Sequence, residues 1–438
     1  MTIEELYQIF TDTRSVSTDS RKLIPGSVFF ALKGEHFDGN RFAIEALEKG
    51  CAYSVVDNPH LSEIEHPSSK RLIIVPDVLT SLQNLAAYHR SQLKIPFLAI
   101  TGSNGKTTTK ELVAAVLSRK YKVCSTQGNL NNHIGVPLTL LNVVDHDIAI
   151  IEMGANHVGE IAALCKIANP DFGIITNIGK AHLEGFGSPE GVIKAKSELF
   201  DHLSSNKGKV FADAENFLLR ELIKIRNLNA VYFGNHVESS CSGEVVNSSR
   251  LLSVKIGIPG VAEVININTS LVGSYNLRNI LAAVCIGNFF GVSLKEISSA
   301  LTEYTPSNSR SQLLITSNNR IVFDAYNANP SSMESSVSNF LFMDDELPKM
   351  IILGDMLELG KYSRSEHSSL IKFIQDQHFT NTILVGTEFC SILQSSSIPC
   401  FKNVDELIEH FRDNPVKEHS ILLKGSRGIK LEKLLEVL

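Results

Sequence analysis

The chain has 438 residues, a hydrophobic content of 43% and a formal net charge of −6. At about 150 residues per domain, this length predicts roughly three domains, each with enough apolar residues for its own core. The small negative charge argues against a dedicated nucleic-acid or anionic-membrane binder, because such proteins need a broad basic surface.

The cysteines and the N-terminus indicate a protein of a reducing compartment. There are seven cysteines, an odd number, and no two of them form a CxxC pair. We therefore expect neither a disulfide framework nor a zinc site. The opening MTIEELYQIF has two acids and no basic cluster, unlike a secretory signal, and no apolar run reaches the about 18 residues of a membrane span. We expect a soluble cytoplasmic protein without membrane insertion.

The first segment, residues 1–94, has the pattern of a small α/β domain. SVFFAL (27–32) and AYSVV (52–56) are typical of strands. RFAIEALEKG carries an apolar helical face and ends at Gly50, where a C-terminal cap belongs. LQNLAAYHRSQLK (82–94) predicts a helix, and Pro96 after it favours a boundary near 94–96.

Residues 95–310 predict a larger, doubly wound domain with a mostly parallel sheet. PFLAIT, DIAIIEMG and DFGIITNIG are continuous apolar runs, as expected for parallel strands buried on both faces. Helical patterns lie between them. In such sheets ligands bind at the carboxyl ends of the strands, so we expect a site formed by the loop after Thr101, by Glu152 and by residues 177–182.

Residues 311–438 predict a third, Rossmann-like α/β domain. RIVFDAYNANP, MIILGDM, TILVG and ILLKGSRG are four strand-then-loop units with helical patterns between them. The polar stretch SNSRSQ (307–312) is the best candidate for the linker that precedes this domain.

The loop TGSNGKTTTK resembles a phosphate-binding loop, but it is shorter than the usual pattern. Two residues, rather than four, separate Gly102 from the Gly105-Lys106 pair. A glycine turn between a strand and a helix that begins at Lys106 directs backbone N–H groups at one point, which suits phosphate whatever the loop length. The alternative is an ordinary βα turn. The strand before the loop and the amphipathic helix after it favour a phosphate-binding loop over such a turn.

Three further residues, Glu152, His182 and Lys196, have the chemistry of a metal site. Glu152 ends a buried strand and could hold magnesium, although it could also be a solvated strand end. Ser188 and Pro189 predict a helix start, and Lys196 then falls on the apolar stripe of that helix, whereas Lys194 does not. A buried lysine favours the neutral amine, which could take up carbon dioxide as a carbamate, but its stem could also snorkel to the surface.

Two more motifs carry weaker signals. Asn276 and Asn279 lie three apart at a helix start, so both amides could face one ligand, although helix caps also use Asn. Asp324 ends a strand and could accept from a ribose hydroxyl or cap a turn.

Taken together, these motifs resemble the Mur ligases, the ATP-dependent amide-forming enzymes of peptidoglycan precursor synthesis. The resemblance covers nearly the whole chain and includes, in order, the following motifs: TGSNGKTTTK, QGNLNNHIGVPLTLL, IIEMGANHVGEI, TNIGKAHLEGFGS, KAKSELF, GSYNLRNILAA, DAYNANPSSM, LGDMLELG and KGSRG. It implies a UDP-sugar-binding domain over 1–94, a central ATP-binding domain over 95–310 and a C-terminal domain over 311–438. The short loop is the family's own form of phosphate loop.

The resemblance also implies residue roles. ATP would be bound by Gly102, Ser103, Asn104, Gly105, Lys106, Thr107, Thr108, Asn276, Asn279, Arg310 and Asp324. One magnesium ion would be held by Thr107 and Glu152, and a second by His182 and carbamoylated Lys196. Lys106, His182 and Lys196 would be catalytic. The motifs TDSR (18–21) and GEHFDG (34–39) imply substrate contacts at Thr18, Ser20, Arg21, Glu35, His36 and Phe37. A further implied substrate contact is Asn132, in the motif QGNLNNHIGVPLTLL. The stretch KGS (424–426) would face the peptide.

The implied reaction joins D-alanyl-D-alanine to a UDP-muramoyl tripeptide through an acyl phosphate, in cell-wall biogenesis and hence in cell shape and division. The DNPR motif of the diamino-acid-adding sister is absent, since DNPH (57–60) lies in the wrong domain and DNPV (413–416) lacks the arginine. The alternatives are a sister ligase of the diamino-acid-adding or folylpolyglutamate type, or a nucleotide-binding protein without catalysis. A monomer is expected.

Overall fold

The computed structural model describes residues 1–63, 65–306, 310–393 and 398–438. Within this part of the chain there are two compact units. The first comprises Met1–Ala99, Tyr121–Ala155 and Gly159–Gly173, and the second comprises Ile100–Lys120, Asn156–Val158 and Ile174–Leu438. The division into three domains stays a prediction, and residues 307–309 of the predicted linker lie outside the described residues.

The N-terminal segment is a small α/β layer. Its elements are α1 Ile3–Thr13, β1 Val16–Ser17, β2 Val28–Phe30, β3 Lys33–Gly34, β4 Phe37–Asp38, α2 Ala43–Glu48, β5 Tyr53–Val56, β6 Leu72–Ile74 and α3 Val78–Gln92. The strands β1, β2, β5 and β6 form a parallel sheet in that order, and β3 and β4 form a separate hairpin. The predicted strands and the helix before Gly50 are confirmed. The later helix begins at Val78, four residues before LQNLAAYHRSQLK, because the Asp77 side chain accepts the N–H of Thr80 and caps it.

The middle of the chain is built on a six-stranded sheet of order β12-β11-β10-β7-β9-β8. The elements are β7 Phe97–Thr101, α4 Lys106–Leu117, β8 Val123–Ser125, α5 Gly135–Leu141, β9 Ile148–Glu152, α6 Glu160–Ala168, β10 Phe172–Ile175, α7 Leu183–Phe186, α8 Pro189–Ser205, β11 Lys209–Asp213, α9 Phe217–Ile225, β12 Asn229–Phe233, β13 Ser242–Asn247, β14 Ser253–Gly257, β15 Ile265–Asn268, α10 Leu277–Phe289 and α11 Leu294–Glu303. The predicted strands are confirmed, and β7 and β9 are buried along their whole length, as strands covered on both faces should be. The antiparallel sheet β13-β14-β15 was not predicted.

The last segment has a second six-stranded sheet, of order β16-β17-β21-β18-β19-β20. Its elements are β16 Gln312–Ile315, β17 Arg320–Asp324, α12 Pro330–Phe342, β18 Lys349–Gly354, α13 Ser363–Asp376, β19 Thr382–Val385, α14 Thr387–Ile392, β20 Cys400–Phe401, α15 Val404–Asp413 and β21 Ser420–Lys424. The strands pair in parallel except β16, which is antiparallel to β17. The four predicted strands are confirmed, and the predicted fold class, α/β with a doubly wound central sheet and a Rossmann-like C-terminal sheet, is correct.

One cysteine pair contradicts the sequence-based expectation. Cys390 of α14 and Cys400 of β20 form a disulfide, with a Cα–Cα distance of 5.6 Å, while the other five cysteines are free and buried. The sequence predicted no disulfide framework, and it did not predict this single bond. The spacing of cysteines along the chain does not reveal which two the sheet brings within bonding distance.

Within the described residues, no helix has both the length and the apolar character needed to cross a bilayer.

Candidate active site

The glycine-rich loop after β7 adopts a conformation that only small residues permit. Gly102 has φ +144° and Gly105 has φ +76°, both in the region that favours glycine. A Cβ on Gly102 would clash with Oγ1 of Thr176. Because α4 begins at Lys106, the positive end of its helix dipole lies at this loop, as in an anion-binding helix N-terminus.

Lys106 places a cation at the same point. Its Nζ donates to the carbonyl of Gly102 at 2.7 Å and to that of Ser103 at 3.3 Å, so the ammonium group lies over the loop. Thr107, the next residue, is 2% exposed. A positive charge and a helix N-terminus at a glycine loop together can bind a polyphosphate.

The segment that follows β10 holds the loop from one side. The N–H of Asn104 donates to Oδ1 of Asn177 at 3.0 Å, and Oγ1 of Thr176 donates to the carbonyl of Asn104 at 2.6 Å. The Ser103 hydroxyl bonds the backbone of Gly179, with an Oγ–O distance of 3.0 Å and an N–Oγ distance of 2.9 Å. The loop is therefore fixed before any ligand arrives.

Asn276 and Asn279 support the loop from the helix side. Both are buried, and Nδ2 of Asn279 donates to Oδ1 of Asn276 at 2.7 Å. Oδ1 of Asn279 in turn accepts from the hydroxyl of Thr109 in α4 at 3.1 Å. Nδ2 of Asn276 donates to the carbonyl of Val272 at 2.8 Å. The structure thus brings this predicted pair to the phosphate loop, where the two amides are bonded to the protein itself.

His182 and Lys196 flank a single aromatic ring. Nζ of Lys196 lies 5.2 Å from the centroid of Phe186, and the His182 ring centroid lies 6.3 Å from the same centroid. On α8, Lys196 is fully buried and Lys194 is exposed, as the helical spacing predicted. Its amine is buried with it, so snorkelling to the surface does not describe this lysine.

The His182 ring has a carboxylate partner that the sequence did not reveal. Nδ1 of His182 lies 2.5 Å from Oε2 of Glu358, in the segment after β18. This hydrogen bond lowers the pKa of Glu358 below its ordinary value, and partial burial opposes the shift. LGDMLELG is one of the sequence motifs, but nothing in its pattern marks Glu358 as the partner of a histidine far away in the chain.

Glu152 and Asn132 belong to the first unit. Glu152 is 1% exposed, and its Oε1 accepts from Nδ2 of Asn131 at 2.8 Å. It is therefore a buried strand-end carboxylate and not a solvated one. Oδ1 of Asn132 accepts the N–H groups of Ile134 and Gly135 at 3.1 and 2.9 Å, at the start of α5.

The C-terminal sheet brings two oppositely charged residues together at its carboxyl edge. Nζ of Lys424, at the end of β21, lies 2.6 Å from Oδ2 of Asp324, at the end of β17. Burial and the nearby charge of Asp324 raise the pKa of Tyr275, which precedes α10. Arg310 stacks its guanidinium 3.9 Å from the ring centroid of Tyr326. Asp324 and Arg310 are thus near aromatic residues of the motifs GSYNLRNILAA and DAYNANP.

A direct contact joins this segment to the phosphate loop. Nδ2 of Asn329, the N-cap residue of α12, donates to Oδ1 of Asn104 at 2.7 Å. Nearby, Nζ of Lys180 lies 2.7 Å from Oε1 of Glu366 in α13. The sequence predicted neither pairing.

The predicted substrate motifs of the first unit are largely exposed. Arg21 is paired with Asp19, with an Nε–Oδ1 distance of 2.9 Å, and this pairing lowers the pKa of Asp19 to about 2. Phe37, in the β3–β4 hairpin, is 44% exposed and stacks on Phe42 with the ring centroids 5.6 Å apart. The remaining members are Thr18 and Ser20, which are half-buried, and Glu35 and His36, which are exposed.

No group of three or more His, Cys, Asp and Glu side chains in the described ranges could hold a metal ion. A magnesium site here would need other oxygen donors, such as a threonine hydroxyl or a modified lysine.

Parallel strands that end in a basic glycine loop at a helix N-terminus are typical of proteins that bind nucleotide phosphates. Comparison with known proteins specifies the family. Models described as Mur ligase family catalytic domain, Mur ligase middle domain and Mur ligase glutamate ligase domain match residues 12–90, 100–287 and 309–427. The chain belongs to the Mur ligase family.

Individual relatives cover the chain almost completely. The UDP-N-acetylmuramoyl-tripeptide–D-alanyl-D-alanine ligase of Bacillus subtilis is 33% identical, over 97% of this chain and 93% of the relative. A crystal structure of MurF from Acinetobacter baumannii has a TM-score of 0.86 and 29% identity, and covers 98% of this chain and 97% of that one. MurF from Thermotoga maritima, in complex with ADP, has a TM-score of 0.84 and 27% identity, with 97% of each chain covered.

Proposed function

We propose that this chain is an ATP-dependent ligase that joins D-alanyl-D-alanine to UDP-N-acetylmuramoyl-tripeptide in peptidoglycan precursor synthesis, with release of ADP and phosphate. The Bacillus subtilis relative carries this activity in its name, and the Thermotoga maritima neighbour was solved with ADP. The observation that carries the proposal is the loop at the start of α4, where Lys106 lies over the carbonyls of Gly102 and Ser103.

The loop explains why ATP is used. A carboxylate does not condense with an amine in water, because oxide is a poor leaving group, and transfer of the γ-phosphoryl group converts it into an acyl phosphate. Residues 102–108 would cradle the phosphates. Lys106 would exchange its carbonyl contacts for phosphate oxygens and stabilise the charge that develops during transfer.

Two pairs of residues are proposed to hold magnesium. Thr107 offers a hydroxyl beside the loop, and Glu152 is proposed as its companion ligand on the grounds of its buried carboxylate. His182 and Lys196 flank Phe186, and a carbamate on Lys196 would supply the oxygen ligands that magnesium prefers. When bound, the ions would neutralise charge on the phosphates and on the attacking carboxylate.

The other site residues orient substrates. Asn276 and Asn279 hold the base of the loop, and Arg310 and Asp324 would contact the nucleotide from the C-terminal segment. Lys424 would hold Asp324 in place through the 2.6 Å ion pair. The proposed contacts to the UDP-sugar and its peptide are Thr18, Ser20, Arg21, Glu35, His36, Phe37 and Asn132, with residues 424–426 facing the peptide.

Water has to be excluded, because acyl phosphates hydrolyse. The bond from Asn329 to Asn104 places the start of α12 against the phosphate loop. Such a cover lets the amine of the dipeptide reach the acyl phosphate before water does. We further propose that the enzyme is a monomer and works in the cytoplasm, where ATP and UDP-sugars are made.

The test is phosphate release by the purified full chain with ATP, magnesium and UDP-muramoyl tripeptide, comparing D-alanyl-D-alanine with single amino acids. Release that requires the dipeptide supports the proposal. Release with a diamino acid and UDP-muramoyl dipeptide, or with glutamate and a folate, would instead identify a sister ligase.

A further inference from the structure

The contact between His182 and Glu358 defines which ring nitrogen carries a proton. Nδ1 of His182 lies 2.5 Å from Oε2 of Glu358. An ionised carboxylate can only accept hydrogen bonds, so Nδ1 carries the hydrogen. In a neutral imidazole, Nε2 is then left with the lone pair that a metal ion requires.

The backbone around Glu358 holds its side chain at this position. Glu358 has φ +62°, and its carbonyl accepts the N–H of Glu184 at 3.1 Å. Gly360 packs against Glu184 so closely that an added Cβ would lie 3.2 Å from the Cβ of that residue. The hydroxyl of Tyr362 donates to the carbonyl of Gly187 at 3.4 Å. The stretch 358–362 is therefore seated on α7, directly after His182.

A second contact between the same parts of the chain does not involve the histidine. Nζ of Lys180 lies 2.7 Å from Oε1 of Glu366. This ion pair provides a control, because its loss would weaken the same interface without touching the imidazole.

We propose that Glu358 is a positioning residue for His182: its carboxylate holds the ring in the Nδ1–H form and aims Nε2 at the magnesium site. This inference rests on the proposed role of His182 as a metal ligand. Carboxylates that accept the second N–H of a metal-binding histidine fix its orientation and raise its basicity, and their loss typically costs about 10- to 100-fold in metal affinity or activity.

His182 and Glu358 follow strands that belong to two different sheets. His182 follows β10 of the central sheet, whereas Glu358 follows β18 of the C-terminal sheet. The C-terminal segment thus supplies part of the geometry of the central site. The histidine is fully prepared for metal only while stretch 358–362 rests on α7.

The first experiment reads the tautomer directly in the ligand-free full chain. The protein is labelled with ¹⁵N-histidine, and the ring signals of His182 are identified by their loss in His182→Gln, at a pH where the imidazole is neutral. We expect Nδ1–H in the wild type and a shift toward Nε2–H in Glu358→Ala. Glu358→Gln, which keeps an acceptor oxygen, should retain more of the Nδ1–H form, and Glu366→Gln should leave the signals unchanged.

The second experiment measures manganese binding by electron paramagnetic resonance in the presence of ADP. We expect Glu358→Ala to bind the ion about 10- to 100-fold more weakly and Glu366→Gln to bind it as the wild type does. Thermal unfolding of each variant shows whether it is folded. If Glu358→Ala does not fold, the manganese affinity of Glu358→Gln is compared with that of the wild type instead.

The outcomes separate this inference from the proposed function. A wild type in the Nε2–H form, an unaltered tautomer in Glu358→Ala, or equal loss of manganese binding in Glu366→Gln would overturn the role of Glu358. A wild type with the expected tautomer and manganese response but no dipeptide-dependent phosphate release would instead overturn the proposed function.

Discussion

The side-chain amide of Asn279 lies against Gly105, so closely that a Cβ on Gly105 would be 2.7 Å from Oδ1 of Asn279. Gly105 also has φ +76°. Two independent constraints therefore require glycine at position 105 of the phosphate loop. One is the positive φ of its backbone, and the other is the close approach of Asn279, which lies in a helix much later in the chain.

Gly105→Ala should abolish ADP binding, because the loop would have to move away from Asn279 and its N–H groups would no longer converge. Calorimetric titration with ADP and magnesium checks this. The matched control is Gly260→Ala, at φ +82° with nothing within 4 Å of the added Cβ. Both variants carry similar backbone strain of about 1–2 kcal/mol, so a loss of ADP binding in both would contradict the explanation.

Lys106→Met should lower kcat by about 100-fold or more, since a cation aimed at developing negative charge is lost. Dipeptide-dependent phosphate release measures the effect. Lys120→Met is the comparison, because Lys120 donates to the carbonyl of Gly291 at 2.9 Å, away from the loop. Near wild-type turnover in Lys106→Met would rule out its role in phosphoryl transfer.

Lys196→Ala should severely lower activity, and added bicarbonate should not restore it, because no amine remains to form the carbamate. Lys194→Ala changes an exposed lysine of the same helix and should retain activity. Phosphate release and thermal unfolding are measured side by side for both variants. If folded Lys196→Ala turned over at the wild-type rate, the carbamate would have no catalytic role.

The hairpin motif GEHFDG is tied to the sheet by Asn40, whose Nδ2 donates to both Asp38 and Asp57 at 2.8 Å. The Asn40 bond lowers the pKa of Asp38. Burial raises the pKa of Asp57, but hydrogen bonds from Lys33 and Asn40 outweigh burial and bring it below the ordinary value. Asn40→Ala should therefore cost about 2–3 kcal/mol of unfolding free energy at neutral pH.

The sign of the pH dependence follows from these lowered values. The stabilisation that Asn40 gives through Asp38 and Asp57 is fully present above the pKa of about 3.9 that an aspartate has in the unfolded chain. It is lost as the pH falls through the lower pKa values that the two carboxyls have in the folded protein. The difference between Asn40→Ala and wild type should therefore shrink in calorimetric scans taken from neutral pH to about pH 3. Asn58→Ala, which removes one local bond to His60, should show no such trend. A constant difference at all pH values would show that the two carboxylates are not involved.

Local patterns in the sequence predicted most of the fold. Continuous apolar runs located β7, β9 and β10, and Ser188 with Pro189 located the start of α8, where the Ser188 hydroxyl accepts the N–H of Gly191 at 3.2 Å. Strands that mix buried and exposed residues were harder to predict from the sequence. The antiparallel β13–β15 sheet was missed because its short strands mix buried and exposed positions.

The candidate site likewise has features that the sequence predicted and features that it did not. The loop around Lys106 and the buried position of Lys196 could be predicted, since each depends on a strand end or a helical period within a few residues. The partners of these groups could not. Three side-chain contacts join residues far apart in the chain: Asn329 with Asn104, Glu358 with His182, and Lys424 with Asp324.

The amino-acid sequence by itself determined the family, the α/β elements and the position of the phosphate loop, because glycine spacing and apolar period act over short stretches of chain. Only the tertiary structure decided which side chain orients His182, what lies under Gly105 and which two of the seven cysteines are bonded. Those relationships depend on how strands from different parts of the chain are placed side by side, and no local pattern carries that information.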